Sequence, residues 1–125
     1  MHAAAAVVAT ADGALAGYAV LDDRQEPEYS AVPWTVAGPA GVIHRLMVPP
    51  RLEGRGIARA LMAFLEGRAG SRGHACIRLD VFVQNPRAVR FYEQRDYHRA
   101  GQVQFRKGTF YCYEKDLAGR AGEVT

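Results

Sequence analysis

Several features that would place this chain in a large structural class are scarce or missing. Only two cysteines occur in 125 residues, Cys76 and Cys112, and neither sits at CxxC or other metal-ligand spacing. They read as reduced, buried thiols. That excludes a disulfide-stapled scaffold, gives no sign of a metal, and fits a cytoplasmic protein. No apolar run approaches the roughly 20 residues of a membrane-spanning helix, so no membrane partner is expected. The alanine-rich start, residues 3–9, lacks a basic flank and is too short and mixed for a signal peptide. A compact basic run is also missing. The net charge is +3, but Arg45, Arg51, Arg55, Arg59, Arg68, Arg72 and Arg78 are spread out. Such a spread suits an anionic small molecule and offers no patch for nucleic acid. Repeats and low-complexity blocks are absent as well.

What remains is ordinary globular material. With 49% hydrophobic residues, the length supports a single core. The expected division is one domain over residues 1–117 and a loose tail over 118–125.

Two short apolar runs, residues 4–10 and 15–21, flank Asp12-Gly13, a hairpin signal. Residues 22–41 carry Pro27, Pro33 and Pro39 and read as a long loop containing Tyr29 and Trp34. A third strand is expected over residues 42–48. Ile57, Ala60, Leu61, Phe64 and Leu65 recur at helical spacing, so an amphipathic helix starts at Ile57 and ends near Gly70 to Gly73. Residues 76–83 alternate as a fourth strand. Asn85-Pro86 then opens a second helix, with Asn85 as N-cap and proline in the first turn. Two last strands, residues 98–105 and 109–115, turn around Arg106-Lys107-Gly108. The order β-β-β-α-β-α-β-β predicts a mixed, mostly antiparallel α/β sheet with two central helices.

The most informative stretch lies between the third strand and the first helix. Gly54 and Gly56 fall where the chain leaves a strand and enters a helix. That layout aims free backbone N–H groups and the positive end of the helix dipole at one point, where phosphate binds. Taken alone, such a turn is more often only a turn.

A second segment makes it specific. Arg55-Gly56-Ile57-Ala58 after Val48-Pro49-Pro50 resembles the acetyl-CoA diphosphate loop of the GNAT family of N-acetyltransferases. Residues 85–97, Asn85-Pro86-Arg87-Ala88-Val89-Arg90-Phe91-Tyr92-Glu93-Gln94-Arg95-Asp96-Tyr97, resemble that family's Asn-x-x-Ala-x-x-x-Tyr-Glu-x-x-Gly-Phe segment. The resemblance covers about residues 15–117. It implies an acetyl-CoA-dependent N-acetyltransferase acting on a primary amine of a small molecule or protein; a non-catalytic CoA-binding or interaction module is the alternative. Two positions depart from the family pattern, and so does the start of the chain. Glu53 stands where the family usually carries Arg or Gln, and an inward carboxylate there would repel a diphosphate. Asp96 replaces the glycine after the second helix. The chain also starts about where the family's second strand would be, short of an N-terminal strand and two helices. Strand edges left exposed by that short start point to a homodimer.

The resemblance also implies roles for residues. Backbone groups of Leu46, Met47 and Val48 would pair with the pantetheine arm, and one N–H there would polarise the acetyl carbonyl. Loop N–H groups of Gly54, Arg55, Gly56, Ile57, Ala58 and Arg59 would hold the diphosphate. Asn85 either reaches the pantetheine amides or serves only as N-cap. Tyr92 either protonates the leaving thiolate or is a core aromatic. For the base, His44 is a candidate because an imidazole is the side chain whose ordinary range lies near neutrality, yet it would share a strand face with Val42, Leu46 and Val48, as a buried structural histidine does. Asp80, beside Arg78, is the other candidate; an ion pair or hydrogen bond is its plain reading.

Overall fold

The computed structural model describes residues 5–11 and 13–118. Asp12 of the expected turn and most of the expected tail lie outside them. The elements follow the expected order: β1 (Ala5–Ala11), β2 (Ala14–Asp22), β3 (Ala40–Met47), α1 (Ile57–Ser71), β4 (Cys76–Phe82), α2 (Pro86–Glu93), β5 (His98–Phe105) and β6 (Gly108–Asp116). They form one six-stranded sheet in the order β1-β2-β3-β4-β6-β5. All neighbours pair antiparallel except β3 and β4, which are parallel and joined through α1. That crossover is the βαβ solution: two parallel strands can sit side by side only if the connection is long enough to return across the sheet, and here α1 supplies it.

Both helices have local reasons to start and stop. The Asn85 side chain accepts the Ala88 N–H at 3.1 Å and Pro86 occupies the first turn, so α2 begins as the sequence predicts. Asp96, at φ 67°, takes the left-handed conformation expected of the residue replacing glycine. α1 ends in a Schellman motif. Gly73 is left-handed at φ 87°, its N–H returns to Gly70 O at 3.0 Å, and the His74 N–H returns to Ala69 O at 3.0 Å.

The sheet carries a core on each face. On one, Met62, Leu65 and Ala69 of α1 and Tyr92 of α2 pack over Ala19, Leu21, Ile43, Ile77, Leu79, Val81 and Tyr113. The buried stripe of α1 therefore differs from the expected one. Ala60 is exposed and Phe64 is 49% exposed, lying under the Arg68 guanidinium at 5.3 Å, while Met62 and Ala69 turn inward. Neighbouring positions on a 3.6-residue period can trade places when the whole helix rotates slightly, and spacing alone does not fix that rotation.

The opposite face is covered by the 22–41 segment. It is not wholly irregular: Pro27–Ala31 forms a 3-10 turn that buries Tyr29 against Val32, Val42, Val103 and Cys112. A buried carboxylate fastens this cover. Glu114, 2% exposed, accepts the Thr35 N–H at 2.9 Å, the Thr35 hydroxyl at 2.6 Å and the Val36 N–H at 3.1 Å. The Trp34 indole N–H donates to Tyr29 O at 2.9 Å. Cys76 and Cys112 are free and buried, as expected.

A break in β3 decides how its residues face. The register with β2 slips between Tyr18 and Val20, and Arg45 sits at φ 59°. This bulge interrupts the two-residue alternation. Val42 thus packs on the loop-covered face while Leu46 packs on the helix-bearing one, and the single face expected for Val42, His44 and Leu46 does not exist.

Candidate active site

The site is opened by a failure of strand pairing. β3 and β4 pair only at Ala40↔Cys76, Gly41↔Ile77 and Val42↔Arg78. Beyond that point the strands diverge, and backbone groups of β3 that would have met β4 face a gap instead. Two cavities occupy the wedge, and they share Leu46, Asn85, Ala88 and Tyr92.

The larger cavity, about 640 Å³, lies between the end of β3, the glycine loop, the start of α1 and the outer side of α2. Leu46, Met47, Val48, Gly54, Gly56, Ile57, Ala58, Arg59 and Asn85 all line it. Of the residues assigned to the acetyl-CoA side from sequence, Arg55 alone is outside the lining. Gly54 and Gly56 hold φ of 85° and 78°, where a side chain would strain the backbone. Gly56 caps α1 without a side-chain acceptor, so the first-turn N–H groups are left for a ligand. Three guanidinium groups, of Arg59, Arg87 and Arg95, border the same cavity. The donors and charge fit a diphosphate.

Glu53 does not oppose that charge as its sequence position implied. Its Oε1 accepts Arg87 Nη1 at 2.6 Å, so the carboxylate is neutralised by a cation from the first turn of α2. Nothing in the spacing of 34 residues announces this pair. Arg95 donates to Phe91 O at 2.9 Å and stacks at 4.0 Å over the Phe91 ring, while its buried Nε has no partner among the described residues.

The smaller cavity, about 220 Å³, lies deeper in the wedge. Ile43 and Arg45 of β3 form one wall, and Leu79, Asp80, Val81 and Phe82 of β4 the other. Tyr92 is 8% exposed and borders both cavities. Its ring stands edge-on to Phe91 at 5.1 Å and to Tyr97 at 5.6 Å. Burial, with a lesser push from the Asp80 charge, moves the phenol pKa well above its ordinary value.

Asp80 is not paired with Arg78, as its neighbour in sequence would suggest. It accepts the Tyr29 hydroxyl at 2.7 Å, a partner 51 residues away. Arg78 instead donates to Gln25 at 2.8 Å and lies 4.4 Å over the Trp34 ring. Burial raises the Asp80 pKa, and the Tyr29 hydrogen bond and the nearby His44 offset part of that rise. His44 lines neither cavity; its Nε2 lies 2.9 Å from Asp22 Oδ1. The wedge thus joins Tyr92 with Asp80, and His44 is in the lining of neither cavity. Among the described residues no group of acidic, histidine or cysteine side chains is placed to hold a metal, and no helix is long and apolar enough to cross a membrane.

The site is thus an α/β sheet opened between two parallel strands, with a helix start and its unpaired N–H groups at the mouth of the gap. The model of the GNAT acetyltransferase family matches residues 1–97, and the chain belongs to that family; an acetyltransferase activity goes with it. No curated protein matches the chain. Many solved structures are similar to it, three of which follow. A candidate GNAT-family acetyltransferase of Desulfovibrio desulfuricans has a TM-score of 0.73 at 19% identity, over 92% of this chain and 69% of its own. A candidate acetyltransferase of Staphylococcus aureus Mu50 gives 0.71 at 27% identity, over 90% of this chain and 71% of its own. The ribosomal-protein-S18-alanine N-acetyltransferase of Escherichia coli gives 0.70 at 19% identity, over 94% and 72%.

Proposed function

We propose that the chain transfers an acetyl group from acetyl-CoA to a primary amine. The observation that carries this reading is the meeting of two cavities at Tyr92, one rich in guanidinium and N–H donors, the other holding a carboxylate. The anionic donor enters the first, and the amine enters the second.

In this scheme Gly54, Gly56, Ile57, Ala58 and Arg59 hold the diphosphate. The gap-facing backbone of Leu46, Met47 and Val48 pairs with the pantetheine arm, as a peptide pairs with a sheet edge. An N–H of that segment stabilises the charge that develops on the acetyl oxygen. Asp80 takes a proton from the ammonium; its raised pKa makes it a stronger base than an exposed carboxylate. The amine nitrogen forms a bond to the carbonyl carbon, the carbon–sulfur bond breaks, and the Tyr92 phenol passes its proton to the leaving sulfur; the second proton of the attacking nitrogen restores the phenol as the amide forms, and Asp80 gives the ammonium proton to water when the product leaves. Unperturbed phenol and thiol differ by about 1.5 pKa units, or about 2 kcal/mol. Burial raises the phenol, and it raises a thiol in the same wedge as well, so the cost stays set by the gap between them. His44, with Asp22 as its partner and no place in the lining of either cavity, takes no part in this scheme.

Calorimetric titration with acetyl-CoA tests the donor: failure to bind at high micromolar concentration removes the reading. Tyr92→Phe tests the chemistry. It should cut turnover by about 10²-fold or more while leaving acetyl-CoA affinity unchanged. A chain that binds acetyl-CoA but transfers to no amine is a binding module.

A further inference from the structure

The geometry points to an acceptor of a particular class: a small amine that also bears a carboxylate and an apolar side chain, in the manner of a free apolar or aromatic amino acid. This deepens the transferase reading above and rests on it. Three features of the smaller cavity carry it.

The first is opposite charge on opposite walls. Asp80 stands on β4 and Arg45 on β3, both lining one cavity of about 220 Å³. A cavity meant only for an ammonium gains nothing from a guanidinium, which repels it. A ligand with a cation at one end and an anion at the other is favoured by both.

The second is the state of Arg45. It makes no hydrogen bond, ion pair or ring contact with any described residue, a state it shares with Arg59 on the diphosphate side, whereas Arg78 is engaged with Gln25 and Trp34, Arg87 with Glu53 and Arg95 with Phe91. It is also held at φ 59°, a left-handed conformation that a non-glycine residue adopts at a cost of about 1–2 kcal/mol. Strain of this kind gathers at ligand sites, where the bulge aims a side chain that regular pleating would send elsewhere. A planar guanidinium with free donors is the natural partner of a carboxylate, through two parallel hydrogen bonds.

The third is a row of rings. Phe82 borders the cavity, Phe110 packs on Phe82 at 5.2 Å, and Phe105 packs on Phe110 at 5.2 Å. All three are only partly buried. They extend from the cavity across the loop-covered face and give an apolar side chain a surface to lie on. Gly108 makes room for this row, since a Cβ there would come within 2.9 Å of Phe82.

The proposal is tested by acetyl transfer to phenylalanine, phenylalanine amide and phenethylamine, which keep the ring and the amine and differ in the carboxylate. Phenylalanine should exceed both others in kcat/KM by roughly ten- to hundredfold, the worth of one charge-assisted contact. Arg45→Gln should bring that ratio close to one by lowering the phenylalanine rate. It should also weaken binding of N-acetylphenylalanine, followed by calorimetry on the protein without acetyl-CoA. Equal use of the three amines, or a ratio untouched by Arg45→Gln, overturns the proposal and leaves the transferase reading standing. Transfer to none of them, or to spermidine alone, also overturns it. Whether the transferase reading falls too is then decided by the acetyl-CoA titration.

Discussion

Arg87 Nη1 lies 2.6 Å from Glu53 Oε1, joining the loop before α1 to the first turn of α2 across the mouth of the larger cavity. Without this contact, Glu53 would place an uncompensated negative charge beside the guanidinium groups that suit a diphosphate. With it, the wrong charge is cancelled and the two sides of the cleft are tied together.

The two halves of this pair should therefore behave oppositely toward acetyl-CoA. Arg87→Ala frees the Glu53 carboxylate and should weaken binding several-fold, with the defect shrinking in high salt as the charge is screened. Glu53→Gln releases Arg87 toward phosphate and should strengthen binding. Both side chains are well exposed, so neither change should alter thermal stability appreciably. Titration at two ionic strengths, with a melting curve for each variant, checks all of this.

Asp80→Asn should trade activity for stability. The folded state raises the Asp80 pKa above its ordinary 3.8. Between the unfolded and folded values the folded chain holds more protons, so its stability falls as pH rises through that window. At neutral pH the full cost of the buried charge is present. The asparagine variant avoids it and can still accept from the Tyr29 hydroxyl. Its melting temperature should exceed that of the parent at pH 7, the difference should vanish in acid, and amine transfer should be lost. A variant that melts lower at every pH would contradict the account.

Glu114→Ala should loosen the cover on the far face. It leaves the Thr35 and Val36 N–H groups and the Thr35 hydroxyl without their acceptor. Each unsatisfied donor costs about 1–3 kcal/mol where water cannot reach it. Denaturant unfolding should show a loss of several kcal/mol, and limited proteolysis should cut first within residues 22–41.

Leu65→Ala tests the helix-bearing core. Leu65 is completely buried between α1 and the sheet. Truncation should cost about 2–5 kcal/mol in denaturant unfolding, according to how far the site can collapse. Phe64→Ala, one residue away and about half exposed, should cost much less.

Much of this was legible in the sequence because the relevant signals are local. Asn85-Pro86 fixes the start of α2 through one side chain and one ring, and Gly73 ends α1 within a single turn. The larger cavity was legible for the same reason, since its loop and helix start are contiguous in the chain. The smaller cavity was not. Asp80 meets Tyr29 only because the 22–41 segment folds over the sheet, and Glu114 holds that segment from the last strand. Neither contact leaves a periodic trace. The bulge at Arg45 likewise reversed the facing of half of β3, since one extra residue outweighs any alternation pattern.

The divergence of β3 and β4 after Val42 and Arg78 has a consequence for hydrogen exchange. Strands of one sheet ordinarily shield their amides together, whereas the β3 amides that face the gap are bonded to no neighbouring strand. They should exchange faster than those of Ala40 to Val42 and become protected once a ligand fills the wedge. On the proposed reading the sheet would be finished by its substrate: the last rung between two of its strands would be supplied by a molecule rather than by the chain.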